Sequence, residues 1–378
     1  MNSQTRVQAA FQQAVTDRVP VMHLGFTSAI ASALLGREAY VGGGIQQWRE
    51  ATALWHGESA HQEFVERSFQ DALDLALLCE HDIVRVRYWR YNHTPTKRFD
   101  ENTFLYAEGS EENWKILRYS PDSEECTIAD YRPRPETPLE EQVKAEEAAA
   151  QLYQPDEQTF DLEIRAQRLV GHERVIRVNA VPLGIPATTE WLEATLLRSD
   201  LVARYLDTQV IRATRNVEFL APLGFRYFFG GGDFAANTGP MYSPRVFRAL
   251  MLPRLQQISE VCHRCGGYHL FASDGNLWPV ASDLFGAAGV DGYHEIDRRA
   301  GMDLGHLRAC FPKLTLIGNI SSHTVHVGSP KEVIDETLSC LEEARRSLGI
   351  IVGVSNYIVL GTPMSNVHAV LETIQRYR

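Results

Sequence analysis

Hydrophobic positions along this chain follow two alternating spacings, and the alternation predicts the fold class. Short apolar runs, typical of strands buried in a parallel sheet, are mostly followed by longer stretches with the spacing of amphipathic helices. The runs lie at residues 19–24, 82–89, 175–181, 225–229, 268–273, 290–295, 314–319 and 350–354. We predict an α/β protein with a (β/α)8 TIM barrel, and a doubly wound open sheet is the alternative.

Two regions depart from this rhythm. Residues 27–78 have helical spacing interrupted by three glycines, which predicts an N-terminal helical region. Residues 91–135 contain short β-like runs separated by polar turns, which predicts an antiparallel β excursion from the main sheet and a candidate lid. We treat residues 1–378 as a single barrel domain that carries both additions.

Composition and charge narrow the class of protein. The chain has 378 residues, of which 44% are hydrophobic, and its net charge is -11. Because an acidic chain binds the phosphate backbone poorly, we do not expect nucleic acid to be a partner. Without an apolar run long enough to span a bilayer, or a signal-peptide core, we expect a cytoplasmic protein without a membrane partner.

Carboxylates cluster at predicted carboxyl ends of strands, where barrels place their active sites. Asp274 follows the strand at residues 268–273, and Asp233 follows the preceding strand along the chain. Two carboxylates in one low-dielectric cavity push their pKa values apart, so that one can serve as a general acid. With His294 or Glu295 they could instead hold a divalent cation. The structural alternative is that these residues cap loops or pair with neighbouring arginines.

Other side chains near the strand ends are candidates for binding a small substrate. Aromatic residues there could line an apolar or aromatic-ether pocket. In the strand at residues 82–89, Arg85 and Arg87 share one face. The substrate-binding candidates are His23, Phe26, Arg87, Trp89, Phe234, His294, Asn319 and Asn356.

Several short motifs resemble the uroporphyrinogen decarboxylase superfamily. That family includes the heme-pathway decarboxylase and the barrel methyltransferases that move methyl groups to or from corrinoids and thiols. The motifs are DRVPV at 17–21, GGD at 231–233, SP at 243–244, FASDG at 271–275, GMDL at 301–304, GNI at 318–320 and TPMSN at 362–366. The resemblance implies a (β/α)8 barrel with its site in the mouth.

The sequence departs from both well-known branches of that family. At the zinc positions of the thiol-activating methyltransferases, the matching residues here are Ala272, Asp274 and Asn356. None is a thiolate, so that zinc site is expected to be absent. The loop at residues 23–28 lacks the arginines with which the decarboxylase grips its acidic macrocycle. The remaining resemblance is to the substrate-demethylating members.

In those members, a methyl group passes to the cob(I)alamin of a separate corrinoid protein docked over the barrel mouth. The resemblance implies an enzyme, a cobalamin-dependent methyltransferase that demethylates a small methylated substrate, with an ether as one candidate. Asp274, Asp233 and Glu295 are the candidate catalytic residues, because a departing alkoxide needs a proton or a cation. A carboxy-lyase acting on a small aromatic or pyrrolic acid and a non-catalytic binding barrel are the alternatives. Homodimerisation is left open.

Overall fold

Parallel β-strands form the centre of the computed structural model, which describes residues 1–107, 113–132 and 137–378. Within these residues the strands are β1 Gly25–Phe26, β2 Ile83–Val84, β3 Lys97–Arg98, β4 Thr103–Ala107, β5 Trp114–Ser120, β6 Glu125–Arg132, β7 Val175–Ile176, β8 Val178–Pro182, β9 Tyr227–Gly231, β10 Ala235–Ala236, β11 Gly239–Pro240, β12 Tyr268–Ala272, β13 Gly292–His294, β14 Thr315–Ile317, β15 Ile350–Ile351 and β16 Tyr357–Ile358.

Helices connect most of the parallel strands, as the spacing of apolar residues predicts. Among the described helices, none combines the length and apolarity that crossing a membrane requires. Their bounds are α1 Ser3–Phe11, α2 Ser28–Leu35, α3 Gly44–His56, α4 Glu58–Leu78, α5 Leu139–Leu152, α6 Asp161–Val170, α7 Thr189–Leu197, α8 Ser199–Leu220, α9 Pro244–Val246, α10 Leu252–Arg264, α11 Leu304–Cys310, α12 Ser322–Val327, α13 Pro330–Arg346 and α14 Met364–Tyr377.

The largest sheet contains six parallel strands in the order β15-β14-β13-β12-β9-β8. Two further parallel pairs, β1–β16 and β2–β7, lie outside it. Single backbone contacts connect these groups: Val21 forms a parallel bridge with Val352, and the Asp82 N–H donates to the Val21 carbonyl at 2.8 Å. The predicted mixed α/β class with a parallel sheet is therefore confirmed.

A small apolar core lies on one face of the parallel strands, separate from the large core under the helices. It draws on Met22, Ile83, Val175, Tyr227, Phe229, Leu270, Ile317 and Ile351 from the strands, and on Val7, Ala10 and Phe11 from α1. The Phe11 ring lies 4.9 Å from that of Tyr227 and 4.7 Å from that of Tyr268. Since these tyrosines begin β9 and β12, α1 covers the amino ends of the strands.

The predicted antiparallel excursion is present as a four-stranded sheet in the order β3-β4-β5-β6. It is tied to the N-terminal helices at the turn between β5 and β6. There the buried Glu124 carboxylate accepts hydrogen bonds from the Ser28 and Ala29 N–H groups, each at 2.7 Å. Residues 108–112 and 133–136 of the excursion lie outside the described part of the chain. Its role as a lid stays a prediction.

Some predicted element boundaries are wrong. Residues 19–24 form only an isolated bridge at Val21, and β1 follows them at Gly25–Phe26. The strand predicted at residues 82–89 pairs only over Ile83–Val84. Beyond it, the Arg85 guanidinium donates to the carbonyl of Arg87, while the Arg87 guanidinium pairs with Glu163 and Asp161, so the two arginines do not share a face.

Candidate active site

Three carboxylates meet where adjacent parallel strands end. Asp233, Asp274 and Glu295 follow β9, β12 and β13, and one oxygen of each lies within 4.8 Å of those of the other two. The register aligns these ends, since Ala272 pairs with both Gly231 and His294. The structure thus brings together all three residues that sequence reasoning singled out as catalytic candidates.

Backbone geometry fixes the ends of these strands. Gly231 has φ 99°, and a Cβ there would lie 2.4 Å from the Ala272 carbonyl oxygen, so only glycine fits this turn. Glu295 has φ 64°, a conformation that non-glycine residues seldom adopt. The Asp274 N–H donates to the Asp233 carboxylate at 3.1 Å. These constraints hold the carboxylates close together.

Burial and like charge make Asp274 the carboxyl that can carry a proton near neutral pH. Burial, together with the neighbouring carboxylates of Glu295 and Asp233, raises the pKa of Asp274 to about 7, although the hydrogen bond from Asn356 acts to lower it. Burial also raises the pKa of Glu295, which Arg177 opposes. A group with a pKa near the working pH can both give and take a proton, as general acid–base catalysis needs.

Two arginines lie beside the carboxylates, and sequence reasoning did not identify them as site residues. Arg177 Nη2 lies 3.9 Å from Glu295 Oε1, and its guanidinium lies 5.1 Å from the centre of the Phe229 ring. Burial, reinforced by the charge of Arg85, lowers the pKa of Arg177 to about 10. The available signal was a charged residue inside the otherwise apolar run VIRV at 175–178.

Three of the predicted binding residues lie at this site. The buried His294 places Nδ1 3.6 Å from Glu295 Oε1, and burial holds the pKa of its ring well below the usual range. Asn356 donates from Nδ2 to Asp274 Oδ2 at 2.9 Å. The Trp89 ring is 59% exposed and lies 6.0 Å from the ring of Tyr357, the residue after Asn356.

His23 and Phe26 occupy a different environment from the one predicted. His23 faces a small cavity between the ends of α4 and α14, and its Nδ1 accepts from the Val354 N–H at 3.1 Å. The fully buried Phe26 packs against the rings of His23 and His81. Their side chains point into the helical layer because alternate residues of a strand face opposite sides of the sheet.

Three further candidates make structural contacts. Arg87 forms hydrogen bonds with Glu163 and Asp161. Its charge is therefore paired outside the cluster of three carboxylates. Phe234 is buried in an aromatic cluster under the helices. The buried Asn319 donates from Nδ2 to the Met302 carbonyl. Position near a strand end was not sufficient to predict which way each side chain faces.

The donor set fits a hard cation better than the zinc of the thiol-activating methyltransferases. At the matching positions, Ala272 offers no side-chain ligand and Asn356 is already engaged. Its Nδ2 donates to Asp274, and its Oδ1 accepts from the Tyr357 N–H at 2.7 Å. The carboxylate oxygens of Asp233, Asp274 and Glu295 are ligands of the kind that Mg²⁺ or Ca²⁺ prefers.

Comparison with known proteins shows which family this geometry resembles. Residues 233–377, which include all three carboxylates, match the family model of uroporphyrinogen decarboxylase (URO-D). No curated protein matches the chain. A methyltransferase from Methanosarcina mazei has a similar fold, with a TM-score of 0.64 and 16% sequence identity over 100% of this chain and 99% of that chain. The resemblance of this chain to the uroporphyrinogen decarboxylase superfamily, which includes methyltransferases, is confirmed.

Proposed function

We propose that this protein is a (β/α)8-barrel methyltransferase that removes a methyl group from a small methylated substrate, an ether being one candidate, and passes it to a corrinoid held by a partner protein. The observation that carries the proposal is Asp274, a carboxyl with a pKa of about 7 beside two other carboxylates. Such a group can protonate an alkoxide or phenoxide as it leaves.

The barrel part of the proposal rests on contacts between the separate groups of parallel strands. On one side, the Asp82 N–H donates to the Val21 carbonyl, and the Val175 N–H donates to the Asp82 carbonyl at 3.1 Å. On the other side, the Met22 N–H donates to the Val352 carbonyl at 3.0 Å. With the six-stranded sheet, these contacts support a ring whose mouth holds the carboxylates.

The corrinoid supplies a reduced cobalt, which is a strong nucleophile towards a methyl carbon. As the methyl acceptor on the partner protein, the corrinoid would supply the electron pair for the new bond to the methyl carbon, which leaves the substrate oxygen. The electron pair of the broken carbon–oxygen bond stays on oxygen, which takes the proton of Asp274. A neutral alcohol or phenol and the Asp274 carboxylate result, so charge and protons balance.

The residues around Asp274 suit this role. Asn356 fixes Oδ2 through its Nδ2–H, which leaves Oδ1 as the oxygen that carries the proton. The neighbouring carboxyl groups of Glu295 and Asp233 help to raise the pKa of Asp274 and so favour its protonated form before the reaction. Positioned general acids contribute about 10²–10⁴-fold to rate. A variant that lacks this proton donor is therefore expected to lose rate by a factor in the same range.

A carboxy-lyase is the second candidate, because a specific observation favours it. The guanidinium groups of Arg177 and Arg85 lie beside the same carboxylates and could bind the carboxylate that is lost. In that reaction, the bond between the carboxylate and its carbon breaks, carbon dioxide leaves, and the carbon takes a proton that Asp274 could supply. Carbon dioxide release from a small aromatic or pyrrolic acid is its signature.

The test is anaerobic incubation of the full chain with cob(I)alamin and a panel of methyl ethers, methylamines and thioethers. Methylcobalamin, followed by its absorbance, is the expected product with at least one class. Asp274→Asn should slow its formation about 100-fold. Asp335→Asn, an exposed carboxylate paired with Lys331 on α13, is the matched control and should leave the rate unchanged. Absence of methylcobalamin with every class would reject the proposal, and carbon dioxide release would favour the lyase.

A further inference from the structure

Arg177 carries a buried positive charge that the described residues satisfy poorly. Its side chain is 14% exposed, and its Nη1 is closed to solvent with no hydrogen-bond partner in the described part of the chain. The Glu295 oxygen, 3.9 Å from Nη2, is beyond hydrogen-bonding distance. A buried guanidinium without hydrogen bonds costs free energy, so a ligand that supplies acceptors would be favoured here.

Other unsatisfied polar atoms lie around the same guanidinium. The Tyr357 hydroxyl and both ring nitrogens of His294 are buried without hydrogen-bond partners among the described residues. Arg85 adds a second positive charge, and its guanidinium lies 5.4 Å from the centre of the Tyr357 ring. Arg177 and Arg85 both help to hold the pKa of His294 low, so the three groups share one electrostatic environment.

The hydrogen-bond donors at this place suit an anion. The buried Nη1 of Arg177 has no hydrogen-bond partner among the described residues, and the guanidinium of Arg85 lies over the same Tyr357 ring whose hydroxyl is also unpartnered. A guanidinium presents parallel N–H donors that match the two oxygens of a carboxylate. The Tyr357 hydroxyl can add a third donor to the same oxygens. Rings of Tyr88 and Tyr357 lie over Arg85 and supply an aromatic wall.

We infer that Arg177, Arg85 and Tyr357 form a subsite for a carboxylate on the substrate. On the proposed function, this makes the methyl donor a small methylated carboxylic acid whose anionic end lies against the arginines and whose methyl-bearing atom lies near Asp274. The same subsite would exclude neutral methyl ethers of similar size. Specificity arises because the buried guanidinium stays unpaired when the carboxylate is missing.

The experiment compares binding of two probes to the full chain by isothermal titration calorimetry. The probes are 4-methoxybenzoate and methoxybenzene, which differ only in the carboxylate. Wild type should bind the carboxylate at least tenfold more tightly than the neutral ether. Arg177→Met should lower affinity for the carboxylate at least tenfold. Arg168→Met, an exposed arginine on α6 paired with Glu157, is the matched control and should bind as wild type does.

Arg85→Met is a second variant, in case Arg177→Met does not fold, and it should also weaken carboxylate binding. Equal affinity for the two probes, no binding of the carboxylate, or full affinity in the folded arginine variants would overturn the inference. Because binding is measured without a corrinoid, carboxylate binding with no methyl transfer would reject only the proposed function. Methyl transfer from neutral ethers without preference for the acid would reject only the subsite.

Discussion

Asp274 shows at the scale of a residue how position and environment together create a reactive group. Its place after a buried strand and before Gly275 was visible in the sequence, and so were Asp233 and Glu295. Arg177 was not identified, because a single arginine in an apolar strand does not reveal whether it faces the helices or the opposite side of the sheet. Side-chain direction requires the register of the whole sheet.

The raised pKa of Asp274 predicts a pH-dependent cost in stability. The folded-state pKa of about 7 exceeds the usual 3.8, so the folded protein binds this proton more tightly than the unfolded chain. The free energy of unfolding should therefore fall as pH rises from about 4 to about 7 and be unaffected by this group above that range. Asp274→Asn removes the charge and should be more stable than wild type at pH 8.

After allowance for the solvent that reaches this partly exposed carboxyl, the expected gain at pH 8 is on the order of 1–2 kcal/mol. Urea unfolding of wild type and Asp274→Asn at pH 5 and pH 8 measures it, and the difference should be clearly larger at pH 8. For Asp335→Asn, the difference in stability from wild type should be the same at pH 5 and pH 8. A difference that does not change with pH would contradict the raised pKa.

At the scale of elements, the apolar spacing predicted most strands and helices, and the errors have local causes. The strand at residues 82–89 was predicted from alternation alone, yet it stops at Val84, and the next residue, Arg85, donates to the carbonyls of Leu24 and Arg87. That turn separates Arg85, at the site, from Arg87, which pairs with Glu163. Local hydrogen bonds of long side chains leave no periodic signal in a sequence.

The tether between the antiparallel sheet and α2 gives a prediction at this scale. Glu124→Ala removes a carboxylate that accepts from the first two N–H groups of α2, those of Ser28 and Ala29. Because these are charge-assisted hydrogen bonds at a helix N-terminus, their removal should lower the free energy of unfolding by about 1–3 kcal/mol. Hydrogen exchange of these two amides should accelerate. The neighbouring exposed Glu125→Ala is the control, and equal exchange in the two variants would refute the tether.

At the scale of the whole molecule, α1 covers one end of the strands and the carboxylates lie at the other. Sequence analysis predicted the α/β class and the antiparallel excursion, since both depend on local periodicity. It did not predict that α1 would cover the strands, because Phe11 meets Tyr227 and Tyr268 only after distant segments have folded together. Contacts of this kind depend on topology.

Phe11→Ala tests this arrangement. It would leave a cavity in the small core between α1 and the strands, and truncation of a buried phenylalanine typically costs about 3–5 kcal/mol. Thermal or urea unfolding measures the loss. Val15→Ala, at a position that is 73% exposed just after the helix, should change stability by less than about 0.5 kcal/mol. Similar stability of the two variants would show that α1 does not contribute to the core.

On the proposed function, Asp274 gives a proton to the group that leaves as the methyl is transferred. The most direct test is the rate of methylcobalamin formation from cob(I)alamin and a methyl ether substrate between pH 5 and pH 9. Wild type should slow above about pH 7 as Asp274 ionises, while Asp274→Asn should be about 100-fold slower with no such fall. A wild-type rate that stays constant through pH 7, or a variant as fast as wild type, would contradict the account.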